Sequence, residues 1–360
     1  MGFDIQAWRR RIVSFVMQGV SRGNGRRAEF SGSIPHTGIY RILICRPNHR
    51  LGNLLMLTPL LAELQAAYPG AQVDLIVGGD QGAALFGRFP NVGTVYHLPR
   101  HGFRQLWKTL AVVRRVFHEH YDLTIDPDLQ SQSSRYLVGR CRSLHRIGFC
   151  GVKSSSRLSL AMPAPPLPQH MGQLPVALLR WAMGDFSCSA TSNVPMLDLR
   201  LSHDERAWGR NRLAELLHLD GHHASTETIA VFTHATGAKR YPDAWWKQLL
   251  AGLRQRYPGR RFVEILPAHG QSGVAAGIPG YYSDSPRRVA ALLAATRLFV
   301  TADCGVMHLA CAARGPQVIG LFQCSDPVLY GPYGERHSAI STAALSANSV
   351  CELILKKYPG

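Results

Sequence analysis

Residues 298–322 read LFVTADCGVMHLACAARGPQVIGLF and restrict the fold more than any other stretch of the chain. A β-branched apolar run from Leu298 to Thr301 stops at Ala302-Asp303-Cys304-Gly305. Helix-forming residues fill Val306 to Ala313, a Gly-Pro turn follows, and a second apolar run covers Gln317 to Phe322. A strand, a turn, a helix and another strand in that order build a parallel α/β sheet. In open α/β sheets, ligands bind at turns on the carboxyl ends of strands. This turn carries a carboxylate (Asp303), a glycine (Gly305) and, one helical turn on, His308. The start of the helix also offers backbone N–H groups without intrahelical partners, which suit a phosphate.

The same alternation runs along most of the chain. In the first half, strands are expected at Tyr40 to Cys45, Gln72 to Val77, Val92 to Leu98 and Leu123 to Asp126, with helices at Leu51 to Tyr68 and Phe103 to His120. Residues 159–200 change character: Pro163, Pro165, Pro166 and Pro168 predict a strap rather than a helix. The second half resumes with strands at Thr228 to Phe232 and Arg261 to Leu266, and helices at Pro242 to Tyr257, Ser285 to Ala295 and Ala347 to Tyr358. A chain of 360 residues suits two domains, each with its own core. The expected division is a basic leader and linker over 1–38, one doubly wound domain over 39–195, a second over 196–345, and a C-terminal helix over 346–360. Two such domains enclose a cleft, a common place for a substrate.

Charge bears on the partner. Forty Lys and Arg against 23 Asp and Glu give a formal net charge of +17, a field suited to nucleic acid, acidic lipid or a phosphorylated substrate. No nucleic-acid-binding motif accompanies the charge, so nucleic acid is not an expected partner. No segment approaches the roughly 20 apolar residues that span a bilayer. Residues Trp8 to Met17 nevertheless interleave Arg9, Arg10 and Arg11 with bulky apolar side chains, and Arg22, Arg26 and Arg27 follow. As a helix this segment is basic and amphipathic, fit to lie on an anionic membrane surface; the alternatives are a basic leader without fixed structure or a helix packed on the body. The eight cysteines are scattered, with no CxxC, and read as reduced thiols of a cytoplasmic protein rather than a disulfide framework or a zinc site.

Two further loops carry candidate chemistry. Arg46-Pro47-Asn48-His49-Arg50-Leu51-Gly52-Asn53 links a strand to a helix. Gly52 allows close backbone approach, Arg46 and Arg50 suit acidic acceptor groups, and His49 and Asn53 suit a hydroxyl. A glycine in such a turn also has a purely steric explanation. Thr233 to Pro242 again follows a strand and precedes a helix, and its Thr236, Gly237 and Lys239 suit a diphosphate. The competing reading is an ordinary helix start, with Pro242 in the first turn and Lys239 solvated. Cys304 has no base placed beside it and is read as a small residue, not a nucleophile. Asp126-Pro127-Asp128 has the letters of a metal-binding DxD pair but sits in the first half, and reads better as a loop facing substrate. The loop from Phe322 to Gly334 either closes over a ligand or merely connects elements.

Taken together, RPNHRLGNLLMLTPLLAEL (Arg46 to Leu64), HATGAKRYPDAWW (His234 to Trp246), TADCGVMHLACAARGPQVIGLFQCSDP (Thr301 to Pro327) and GPYG (Gly331 to Gly334) resemble the family 9 glycosyltransferases, typified by the ADP-heptose:lipopolysaccharide heptosyltransferases. The resemblance implies a GT-B fold, two Rossmann-like domains facing a cleft, with the acceptor in the N-terminal domain and the nucleotide sugar in the C-terminal one. It implies an inverting, metal-independent transfer of heptose from ADP-heptose to the lipopolysaccharide inner core or a related acidic, lipid-linked saccharide, at the cytoplasmic face of the inner membrane. No cofactor is implied, the ADP-sugar being a substrate. Carried onto this sequence, Thr236, Gly237 and Lys239 would hold the donor diphosphate, and Asp303, Gly305 and His308 the donor sugar and phosphates.

The sequence departs from that family in two places. Gln271 stands where an acidic residue is expected after Leu266-Pro267. More consequentially, Asn53 follows Leu51-Gly52 where the family carries an aspartate proposed as general base. An amide cannot accept the proton of an acceptor hydroxyl. Either His49 or another carboxylate takes that part, or positioning and phosphate stabilisation carry the reaction, or the protein is a catalytically impaired GT-B binding protein. A transferase using a different nucleotide sugar is a further alternative.

Overall fold

The computed structural model describes residues 33–359 apart from 101–104, 151–157, 164–168, 186–192, 220–226, 269, 271–273 and 275–276. The basic segment from Trp8 to Met17, the linker up to residue 32 and Gln271 lie outside the described residues.

Two six-stranded parallel sheets form the frame. The first holds β1 (Arg41–Arg46), β2 (Gln72–Gly78), β3 (Val92–Leu98), β4 (His120–Ile125), β5 (Arg142–Phe149) and β6 (Leu160–Met162), in the spatial order β3-β2-β1-β4-β5-β6. The second holds β7 (Thr228–Phe232), β8 (Arg261–Ile265), β9 (Gly280–Tyr281), β10 (Leu298–Ala302), β11 (Gln317–Phe322) and β12 (Ser338–Ser341), in the order β12-β11-β10-β7-β8-β9. Read from the opposite edge, that is the same winding. Strand order reverses between β1 and β4 in one sheet and between β7 and β10 in the other. These reversals are the points where doubly wound sheets bind ligands, outside the carboxyl ends of the strands. The central strands are apolar almost throughout because helices cover both faces: β7 (TIAVF) and β10 (LFVTA) are buried at every residue.

The helices are α1 (Leu51–Leu55), α2 (Thr58–Ala67), α3 (Gly82–Phe86), α4 (Leu106–His118), α5 (Gln132–Arg140), α6 (Leu174–Ala182), α7 (His203–Leu217), α8 (Asp243–Arg256), α9 (Pro286–Ala294), α10 (Gly305–Ala313), α11 (Pro327–Tyr330) and α12 (Ala347–Lys357). Several depart from the sequence reading. The single helix expected over Leu51 to Tyr68 is two, because Pro59 lacks an N–H and opens a new helix at its first turn. The Thr58 hydroxyl then donates to the Leu55 carbonyl at 2.8 Å across the break. The expected strap over 159–200 contains β6 and α6, whose Leu174, Val176, Leu178 and Leu179 are buried. The prolines masked that apolar periodicity, although Pro175 sits in a first helical turn where proline is tolerated. Strand β4 begins at His120, the last residue expected for the preceding helix. Helices α5 and α7, and strands β5 and β12, were not anticipated.

The two halves share one continuous hydrophobic cluster, which includes Leu54, Leu57, Leu61 and Leu85 from the first half and Leu292, Met307, Leu309 and Ala313 from the second. Residues 197–201 cross the junction, with the Leu199 N–H donating to the Ala312 carbonyl at 3.0 Å and the Asp198 N–H to Thr58 Oγ1 at 3.3 Å. Arg287 on α9 ties the same region together. Its guanidinium holds Glu205 at 2.5 and 2.8 Å and donates to the carbonyls of Ala84 and Leu199, each at 3.1 Å.

Candidate active site

The first-half switch point is built by the loops after β1 and β4. Arg46 is the last residue of β1 rather than a loop residue, and it is buried. Arg46 Nη2 lies 3.3 Å from Asp128 Oδ1, and its Nε and Nη1 find no hydrogen-bond partner among the described residues. Asp126, the other acid of the DxD letters, is consumed by the core. Arg135 Nε is 2.5 Å from its Oδ2 and Ser134 Oγ 2.6 Å from its Oδ1, with both members of the ion pair fully buried. Burial pushes the Asp126 carboxyl up, against the pull of Arg135 and Ser134. Asp126 therefore fixes the loop, and Asp128 is the acid of the pair nearer solvent.

Beyond Arg46 the chain is held against β2. The Gly78 N–H donates to the Asn48 carbonyl at 3.1 Å, and Asn48 Oδ1 accepts from the Arg50 N–H at 2.8 Å, a side-chain turn that sets the start of α1. Arg50 and His49 are exposed, Asn53 is half-buried, and Gly52 is buried. His49 lies over Gly79, its Cβ 3.5 Å from where a Cβ on Gly79 would stand.

The second-half switch point brings together the donor candidates. After β7 the chain makes a one-turn 3-10 helix, Gly237–Lys239, with Gly237 at φ +62°. That left-handed backbone is one a side chain would strain. The turn directs Lys239 Nζ onto Asp303 Oδ2, and Ser325 Oγ donates to the same oxygen. Lys239 Nζ also stands 5.9 Å above the Tyr330 ring. Asp303 is 5% exposed, whereas the Lys239 side chain is 38% exposed, so the pair has a buried end and an open end. Thr236 and Gly237 are exposed beside it. Pro242 is the residue before α8, and Arg240 is solvated, 3.6 Å from Asp243.

Helix α10 starts at Gly305 with Cys304 as its N-cap and no side-chain cap bond, and the positive end of the helix dipole lies at that terminus. Burial raises the Cys304 thiol, the Thr301 hydroxyl and the N–H groups of Met307 and Val306 only partly opposing it; it is not a poised nucleophile. His308 is buried, and burial, with His170 and Lys239 adding, drives its pKa down to about 3. It is therefore a neutral imidazole.

The two switch points meet through glycine. A Cβ on Gly52 would lie 2.8 Å from His308 Cδ2, and one on Gly305 would lie 3.1 Å from Leu51 Cβ and 3.2 Å from the Gly52 nitrogen. The structure thus gathers Gly52, Gly305 and His308 at one crossing and Lys239 with Asp303 at another. It sets His49 apart, near Gly79. Ser325 and Tyr330 were missed individually, although the loop containing them had been singled out. His170 was missed altogether: its Nε2 is 2.8 Å from the Gly331 carbonyl and its ring centroid 6.3 Å from that of His308. So was Glu264, buried at the end of β8, which accepts from Thr233 Oγ1 at 2.8 Å. No local pattern marks either residue.

Two parallel doubly wound sheets with their carboxyl edges apposed define a GT-B fold. Residues 287–358, from α9 through α12, match glycosyltransferase family 9 (heptosyltransferase). The chain is 27% identical over 336 residues to lipopolysaccharide heptosyltransferase 1 of Salmonella typhimurium, an alignment covering 86% of this chain and 98% of that protein. Among solved structures, E. coli heptosyltransferase WaaC with ADP superposes with a TM-score of 0.67 at 20% identity, covering 88% of this chain and 99% of that one. The E. coli ADP-heptose lipopolysaccharide heptosyltransferase II gives 0.68 at 18% identity, covering 88% and 98%. These likenesses bear out the resemblance to glycosyltransferase family 9 carried by the sequence motifs.

Proposed function

We propose that this glycosyltransferase moves heptose from ADP-heptose to the lipopolysaccharide inner core or a related acidic, lipid-linked saccharide, with inversion and without a metal ion. The donor lies against the second half. Thr236, Gly237 and Lys239 hold the diphosphate, while Asp303, Gly305 and His308 face the sugar and its phosphates. As the glycosidic C–O bond breaks, negative charge grows on the departing ADP. The Lys239 ammonium and the start of α10 stabilise it where it develops. Asp303 positions Lys239 from its buried side. The acceptor lies against the first half, where the exposed Arg50 meets its acidic groups and Gly52 lets it approach the donor. The protein acts at the cytoplasmic face of the inner membrane, with the basic segment within residues 1–38 on the anionic surface.

The observation that carries this reading is the placement of Lys239 and Asp303 across the β7/β10 switch point, directly beside the Gly52–Gly305 crossing. Titration calorimetry with ADP in excess EDTA tests it. Binding of ADP, and not of UDP, is the expected result; binding of UDP alone would make the heptose donor assignment wrong.

Asn53 favours a second reading, a GT-B protein that binds nucleotide sugar but transfers it poorly. A catalytically competent version needs a proton acceptor near the acceptor hydroxyl. His49 is the imidazole of the same loop and is exposed. A transfer assay on the unmodified protein separates the two readings, since robust turnover removes the second.

A further inference from the structure

Helix α4 is amphipathic in an unusual way. Its second half packs Val112, Val113, Val116 and Phe117 on the first sheet, with Val116 fully buried. Its first half presents apolar side chains to solvent: Leu106 is 51% exposed, Trp107 83% and Leu110 48%. Trp107 is the most exposed large apolar residue among those described. Positions 107, 110, 111 and 114 fall on one helix face, so a Trp-Leu-Ala stripe runs into Arg114. Lys108 and Arg115 flank the stripe, Arg115 lying 5.6 Å from the centroid of the Tyr96 ring. No acidic residue occurs between Leu106 and His118. The nearby acids are engaged, Asp80 with Arg100 at 3.6 Å and Glu119 with Arg41 at 3.3 Å.

The position of this face is informative. A helix that follows a parallel strand starts at that strand's carboxyl end, so Leu106 and Trp107 stand at the same edge of the sheet as the loop after β1. The residues just after β3 meet the loop after β1 over Gly79. The Gly79 N–H donates to the Leu98 carbonyl at 2.8 Å, and a Cβ on Gly79 would lie 3.2 Å from Arg100 Nε and 3.5 Å from His49 Cβ. We propose that the first half of α4, through Leu106, Trp107 and Leu110 with Lys108, Arg114 and Arg115, is a docking face for an anionic lipid bilayer. Tryptophan sits well at the boundary between headgroups and acyl chains, leucine adds buried apolar area, and each nearby cation is attracted to anionic headgroups. The charge argues for a bilayer over a second copy, because two copies of a chain with net charge +17 would bring like charges together. The inference rests on the acceptor being lipid-linked, which places the acceptor loop at a membrane.

Co-sedimentation of the full chain with phosphatidylethanolamine–phosphatidylglycerol vesicles, against phosphatidylcholine vesicles, tests the proposal. The expected result is preference for the anionic vesicles. Trp107→Ala/Leu110→Ala should weaken partitioning by about tenfold or more, and Lys108→Glu/Arg114→Glu should reduce the preference for anionic vesicles. Partitioning of Trp107→Ala/Leu110→Ala within about twofold of the parent protein, or no vesicle binding by the parent, overturns it. So does a dimer, seen by light scattering, that Trp107→Ala dissociates. ADP affinity, measured on the same samples, should be unchanged in both variants. Its absence in the parent would overturn the donor reading and leave the docking result to be judged separately.

Discussion

Gly52 and His308 come from opposite halves of the molecule, and the imidazole occupies the space where a side chain on residue 52 would begin. A Cβ there would stand 2.8 Å from His308 Cδ2, inside any real contact distance. His308 cannot yield easily, being a buried ring with His170 at 6.3 Å between centroids. The consequence is functional. The loop after β1 and the start of α10, each at a topological switch point, are in backbone contact because neither Gly52 nor Gly305 has a side chain.

Gly52→Ala should therefore destabilise the protein, by about 1–3 kcal/mol if the halves spread to admit the methyl group. On an unobstructed helix the same change would stabilise by roughly 0.5–1 kcal/mol, so the sign is diagnostic. Thermal unfolding of Gly52→Ala, His308→Ala and the double variant measures it. The double variant should be less destabilised than the sum of the two single changes. Additive losses would show that the contact does not constrain the junction.

Lys239→Ala should weaken ADP binding roughly tenfold to a hundredfold, the range expected for losing a charge-assisted bond to phosphate. Asp303→Ala should also weaken donor binding, because it releases both Lys239 and Ser325 from their common oxygen. Calorimetry on both variants decides the matter; unchanged affinity in each would require the donor to bind elsewhere.

The strand-end loops of the second half were more legible in the sequence than the loop after β1. Strands β7, β10 and β11 are short apolar runs ending in turn residues, and such runs declare themselves locally. Lys239 and Asp303 lie 64 residues apart, yet each stands at a strand end and so falls at a predictable edge. The burial of Arg46 left no local trace because its partner, Asp128, comes from the loop after another strand. Helix α6 escaped notice among prolines, and α7 because its exposed length carries few apolar residues. Ser325 and His170 join the site only through tertiary packing, which leaves no periodic trace.

The Arg287–Glu205 pair gives the protein a specific acid sensitivity. Hydrogen bonding from Arg287, above all, pulls Glu205 down to about 2 from an ordinary 4.5. The folded state thus binds fewer protons than the unfolded state over that interval, and stability present above about pH 4.5 is lost as pH falls toward 2. Glu205→Gln should flatten this part of the stability profile. Thermal melts of both proteins between pH 5 and pH 3, buffered at constant ionic strength, provide the comparison. Parallel profiles would mean that the pair does not contribute to the acid response.

Asn53→Asp addresses the missing base most directly. A positioned general base contributes about a hundredfold to ten-thousandfold to rate. If the amide is what limits transfer, Asn53→Asp should raise kcat by a factor in that range and leave ADP affinity unchanged, because residue 53 lies on α1 while the proposed ADP site lies on the loops after β7 and β10. If His49 already accepts the proton, Asn53→Asp should change kcat little, and His49→Gln should lower it by a comparable factor without altering donor binding. The pair of variants separates the outcomes through kcat alone. Insensitivity of kcat to both changes, in a protein with measurable turnover, would exclude this loop as the source of the base and direct attention to Asp128, the less buried acid at the end of the neighbouring strand β4.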